Sequence, residues 1–120
     1  MATLYVASTE TFVGKSATCV ALLDRARRDG FAAGYLKPVS VSVTRTDTTV
    51  LDADAAFVQA HFALPDPLDT LAPVLLTPSV VEAVLAGQSP DFARRLTTAY
   101  ARVARDRDLV LLEGANHWAE

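Results

Sequence analysis

A short apolar run, Leu4-Tyr5-Val6-Ala7, leads through Ser8-Thr9-Glu10-Thr11-Phe12-Val13 to Gly14-Lys15-Ser16, where a helical pattern begins. Residues of these types in this order suit phosphate chemistry. A helix N-terminus presents backbone N–H donors and the positive end of the helix dipole to an anion. Gly14 lets the main chain approach closely, Lys15 adds a mobile positive charge, and the Ser16 hydroxyl can ligate Mg²⁺. The strict phosphate-loop pattern has glycine at the position of Thr9, so the match is incomplete. The alternative is a surface turn containing Gly-Lys-Ser; the strand before it and the helix after it favour phosphate binding.

Two further positions carry chemistry. Lys37 ends the apolar segment Ala33-Gly34-Tyr35-Leu36 and precedes Pro38-Val39. Ligands in open α/β sheets sit beyond the carboxyl ends of the strands, which puts Lys37 on the rim of the Gly14 loop, facing the ligand or solvated. Glu113 closes Leu109-Val110-Leu111-Leu112, which reads as a buried parallel strand delivering a carboxylate to the same edge. A carboxylate after a buried strand is costly unless partnered, so a metal-binding or hydrogen-bonding role is expected. A phosphate-loop protein places its second Mg²⁺-organising acid there.

The elements that must position these residues follow from periodicity. Cys19, Leu22, Leu23 and Ala26 form the apolar face of a first helix that ends near Gly30, with Arg25, Arg27 and Arg28 suiting its C-terminal dipole. Those arginines read as a solvated face, and Cys19 as a small core residue. The strand from Leu4 to Ala7, apolar enough for burial on both faces, then this helix and the strand ending at Lys37 make a right-handed βαβ unit. Residues 40–50, rich in hydroxyls, read as a mobile loop over the site, with short alternating strands as the alternative. Asp52 and Asp54 open a helix with Phe57, Ala60, His61 and Leu64 on its apolar face, each aspartate serving as a cap, a first-turn anion or a ligand. His61 reads as partly buried. Pro65 and Pro67 end that helix, and Leu71 to Thr77 form an extended connection that Pro73 keeps from being a central strand. Ser79 and Glu82 have capping-box spacing for a helix ending at Gly87. Ser89 and Pro90 start another, with Phe92, Leu96, Ala99, Tyr100 and Val103 as core stripe.

The chain of 120 residues fits one domain, and a formal charge of −3 gives no electrostatic case for nucleic acid. One cysteine permits no internal disulfide, and no apolar run reaches membrane-span length. No basic leader precedes the first strand, so a cytoplasmic location is expected.

Three stretches together resemble the dethiobiotin synthetase-like P-loop proteins: Ser8 to Ser16, Gly34 to Val39, and Val110 to Ala115. That family carries threonine where the standard loop has its first glycine, which accounts for Thr9. The resemblance covers residues 1–120 and implies a three-layer α/β P-loop NTPase fold with a parallel sheet, truncated after the third parallel strand. It also implies ATP, or a related nucleoside triphosphate, and Mg²⁺ as cofactors. Thr9, Thr11, Val13, Gly14, Lys15, Ser16 and Ala17 would bind the nucleotide. Ser16, Asp54 and Glu113 would hold the metal, with Asp52 able to replace Asp54. Lys15 and Lys37 would serve the chemistry, Lys37 meeting the transferred phosphate or a carboxylate substrate.

The opening Ala-Ser-Thr-Glu and the stretch Leu71 to Gly87 look closest to the N-terminal domain of phosphotransacetylases and DRTGG-domain proteins, which implies a regulatory nucleotide-binding module. The other readings are an ATP-dependent ligase closing a cyclic urea from a diamino acid and CO2, and a scaffold that has lost nucleotide binding. Asn116 and His117 stand where the synthetases continue with small glycine-rich residues. The Glu113 strand is expected beside the first strand, leaving that strand an apolar edge. The expected assembly is therefore a homo-oligomer or a larger chain with further sequence.

Overall fold

The computed structural model describes residues 2–6, 15–41, 43–45, 50–88 and 90–114. Its centre is a three-stranded parallel sheet of β1 (Ala2–Val6), β7 (Leu109–Glu113) and β2 (Ala33–Leu36), in the order β1-β7-β2. The last strand in sequence is the middle one, with Val6 opposite Glu113 and Leu36 opposite Leu112. The Glu113 strand thus lies beside the first strand, as expected.

Helices cover the two faces. The first, α1 (Lys15–Arg28), turns Cys19, Leu23 and Ala26 inward, at the spacing of one helical face, while Leu22 stays more than a third exposed. It stops at Gly30, whose φ of +87° is a left-handed conformation that glycine adopts without strain. The helix α5 (Phe92–Ala104) packs against β2 and β7. It is capped by Asp91, which accepts from Arg94 N at 3.0 Å. Ala99 and Val103 are its buried residues, with Tyr100 packed beside them. Successive residues of a strand face opposite ways. Gly34 faces Val103 and Arg107, whereas Tyr35 faces the α1 side near Cys19. The result is an α/β/α sandwich.

Gly34 is required by space. A Cβ there would lie 2.7 Å from Arg107 Cδ and 2.8 Å from Val103 Cγ1. Gly34→Ala should therefore cost about 1–3 kcal/mol, the usual range for overpacking, read as a lower urea midpoint at unchanged slope. An unchanged midpoint would mean that α5 moves away freely.

Several expectations are corrected. The first strand is not buried on both faces: Leu4 is 42% and Tyr5 57% exposed, because β1 is a sheet edge that α1 and α5 cover only in part. The second strand stops at Leu36. Pro38 lacks an N–H for the ladder, and the chain leaves the sheet to form β3 (Val39–Ser40), parallel to β6 (Val74–Leu75) in a two-stranded sheet. Residues 40–50 contain strand structure rather than only loop: β4 (Val43–Arg45) pairs antiparallel with β5 (Val50–Asp52). Leu71 to Thr77 likewise includes β6, at the sheet edge where Pro73 is tolerated.

The helix α2 (Ala53–His61) presents a different face from the one expected. Ala55, Val58 and the following Phe62 are buried, while Phe57 is 57% exposed and His61 is exposed and stacked on it at 5.5 Å. Asp52 fixes this rotation: it caps the helix by accepting from Ala55 N and is itself anchored below the sheet rim. The short α3 (Leu68–Leu71) follows. The cap of α4 (Pro78–Leu85) is Thr77, not Ser79, since Thr77 Oγ1 accepts from Val80 N and Pro78 supplies a ready-made first turn. Likewise Asp91, not Ser89, opens α5.

Candidate functional site

The carboxyl ends of β2 and β7 bring Lys37 and Glu113 together. Tyr35 and Lys37 are two residues apart and share a face, and Glu113 lies one step beyond the Leu36–Leu112 pair on the neighbouring strand. Both side chains are fully buried. The Lys37 ammonium lies 2.9 Å from Asp52 Oδ2, 3.0 Å from Asp54 Oδ2 and 3.6 Å from Glu113 Oε2. Its backbone N–H is held by Leu71 O at 2.7 Å.

Each carboxylate has a second support. Asp52 accepts from Ala55 N at 2.9 Å through Oδ1 and from the Ser40 hydroxyl through Oδ2. Glu113 accepts from the Tyr35 hydroxyl at 2.9 Å. Asp54 is different: its side chain is 32% exposed, so among the three acids it is the one that solvent reaches. A buried charge survives only when paired and hydrogen-bonded, and here every member is.

The electrostatics follow from this packing. Burial alone would push the Lys37 ammonium to lose its proton. The hydrogen bond and charge of Asp52, then those of Asp54, outweigh it and hold Lys37 above the ordinary lysine range. Burial, then the charge of Glu113 and the hydrogen bond to it, keep the Tyr35 hydroxyl protonated far above the ordinary tyrosine range. Both groups hold their protons more tightly folded than unfolded. Their contribution to stability is therefore complete below the unfolded value of about 10 and is lost as pH rises past it. Thermal melts should fall in temperature above that pH, and Tyr35→Phe should make the decline shallower. An equally steep decline in the variant would place the alkaline sensitivity elsewhere.

Asp54 and Glu113 thus both reach the Lys37 ammonium. Asp52 joins them, as a cap and as the nearest partner of Lys37. Tyr35 and Ser40 belong to the site as well. The period-two relation of Tyr35 to Lys37 could have signalled the first, whereas the contact of Ser40 with Asp52 comes from β3 and left no mark in the pattern. Thr9, Thr11, Val13 and Gly14 lie outside the described residues. Lys15 and Ser16 are the first residues of α1, and Ala17 is exposed in its first turn.

Hard carboxylate and hydroxyl oxygens are the donors Mg²⁺ takes. Three carboxylates against one ammonium leave the cluster anionic overall, which suits a further cation. As arranged, the ammonium sits where these acids meet, and among the described residues no three acids, histidines or cysteines stand ready as a metal cage. Asp54, the acid that solvent reaches, is the one whose oxygen would be open to such a metal. Among the described residues, no helix is long and apolar enough to cross a membrane.

Comparison with known proteins agrees with this architecture. Residues 2–120 match the model of a family described as AAA domain. The ATP-dependent dethiobiotin synthetase of Marinobacter nauticus is 31% identical over 119 residues, covering 97% of this chain and 51% of that protein. Those of Chromohalobacter salexigens and Serratia marcescens are 33% and 34% identical, covering 98% and 95% of this chain and 51% of each relative. The chain spans about half the length of these relatives. The strand–helix–strand core, the rim lysine with its acids, and a match along nearly the whole length make one family assignment: this chain belongs to the AAA domain family, as a dethiobiotin synthetase-like P-loop domain.

Proposed function

We propose that this chain is the phosphate- and metal-binding part of an ATP-dependent ligase of the dethiobiotin synthetase type. The observation that carries the reading is the meeting of Lys37 and Glu113 at the carboxyl ends of adjacent strands, beyond which ligands of open α/β sheets bind. The loop from Thr9 through Thr11 and Val13 to Gly14, with Lys15, Ser16 and Ala17, would cradle the phosphates of ATP. Ser16, Asp54 and Glu113 would hold Mg²⁺, which when bound neutralises phosphate oxygens. Lys37 would meet the transferred phosphate or the carboxylate formed from a diamino acid and CO2.

The engagement of Lys37 by its own acids favours a second reading. Two of its ammonium hydrogens go to Asp52 and Asp54 and the group is fully buried, which suits a regulatory nucleotide-binding module such as those of phosphotransacetylase-like or DRTGG-domain proteins. Calorimetric titration with ATP tests what the two share. Saturable binding that weakens when Mg²⁺ is chelated is expected, and no binding at millimolar ATP would leave a scaffold that has lost the function. Phosphate release from ATP that requires both a diamino acid and bicarbonate then selects the ligase, and binding without it selects the module.

A further inference from the structure

The opposite end of the sheet carries a second concentration of charge. The turns that enter β2 and β7 there meet the C-terminal ends of α1 and α5 around a cavity of about 470 Å³. Four guanidiniums line it, those of Arg27, Arg102, Arg105 and Arg107, against two carboxylates, Asp66 and Asp106. The whole chain has a formal charge of −3, so this cationic excess is local and opposite in sign to the protein.

Two of the arginines build the walls. Arg107 holds Asp66 in a fork of 2.7 and 3.1 Å and donates to Val103 O at 2.7 Å. Arg27 donates to Phe62 O at 2.9 Å and lies over the Phe62 ring at 5.4 Å. These contacts consume Asp66 and fix both side chains. Arg102 and Arg105 are exposed, and their side chains make no ion pair or hydrogen bond among the described residues. Phe31, on the same rim, leaves 53% of its surface exposed. A fixed basic wall, two uncommitted guanidiniums and an open aromatic ring form a concave site of small-molecule size. Guanidinium forks match phosphate geometry, and the phenyl face offers a stacking surface.

We propose that this cavity binds a phosphate monoester carried on an aromatic or apolar body, at a site separate from the Lys37 rim. Arg102 and Arg105 grip the phosphate, and Phe31 takes the body. The volume of the cavity suits a small molecule.

The test uses phenyl phosphate and inorganic phosphate as probes on the whole chain, followed by calorimetry and by amide NMR shifts. Lys15→Ala serves as background, so that binding at the Gly14 loop does not mask the second site. Phenyl phosphate should bind this variant and shift the amides around Phe31 and Arg105. Adding Arg102→Ala and Arg105→Ala should weaken it at least tenfold, and both positions are exposed, so circular dichroism should be unchanged. Phe31→Ala should weaken phenyl phosphate at least threefold while leaving inorganic phosphate as before. Absence of binding in the Lys15→Ala background, or equal binding after both arginines are removed, would overturn the proposal and leave a solvated basic surface. Since ATP binding at the Gly14 loop is measured on the parent chain, failure of that reading and failure of this one are separate results.

Discussion

Lys37→Met should destabilise the protein by about 3–5 kcal/mol, the range for breaking a buried ion pair from one side. The substitution keeps the length of the side chain and removes its charge. It leaves Asp52 and Glu113, both with fully buried side chains, without the cation that balances them. Tyr35 and Ser40 would still donate one hydrogen bond to each, which cannot offset an unneutralised charge. Urea titration reads the effect as a lower midpoint with unchanged slope. Asp54→Asn makes the contrast, because Asp54 is a third exposed and water can replace it beside Lys37. Adding Glu113→Gln to Lys37→Met should recover part of the loss, since one of the orphaned charges is then gone. A loss below about 1 kcal/mol in Lys37→Met would show that water already enters the cluster, contrary to its burial.

Lys15→Ala should weaken ATP binding by about tenfold to more than a hundredfold, since a hydrogen bond to a charged group contributes roughly 1.5–3 kcal/mol. Lys15 opens α1, where the helix dipole and the first N–H groups already favour an anion. The remaining donors should therefore keep weak binding rather than abolish it. The position lies at the helix end, away from the core stripe of Cys19, Leu23 and Ala26, so the thermal melt should change little. Unaltered affinity in calorimetry would move the nucleotide away from this loop.

What the sequence revealed depended on whether a local pattern was decisive. The Glu113 strand was legible because four consecutive apolar residues ending in an acid and a glycine suit a central parallel strand, and little else. The first helix was legible for the same reason, its stripe and its Gly30 stop agreeing. Lys37 was legible as a rim residue but not as the centre of a cluster. Nothing in local spacing says that Asp52, fifteen residues away in the chain, folds back to within 2.9 Å of it. The phase of α2 was misread because Phe57, Ala60, His61 and Leu64 stand at i, i+3, i+4 and i+7, while the face that is buried, Ala55, Val58 and Phe62, has the same helical spacing. The tether of Asp52 to Lys37 and Ser40 decides the rotation instead. Short strands such as β3 and β6 are two residues each and carry no period at all.

The strand order also dictates when the sheet can exist. Among the described residues, β1 takes its backbone partners from β7, whose first residue is paired with Ala2 although 107 positions separate them. β2 likewise joins the sheet only through β7. During synthesis, then, the first two strands emerge with no ladder to enter, and the helix between them has no sheet to cover. Loop closure over at least 76 positions, the separation of Ala33 from Leu109, must precede the first hydrogen bond of the sheet, which makes for slow assembly. Until Leu109 to Glu113 arrive, Leu4, Tyr5 and Val6 are exposed apolar strand, the form in which a nascent chain most readily engages a chaperone or another copy of itself.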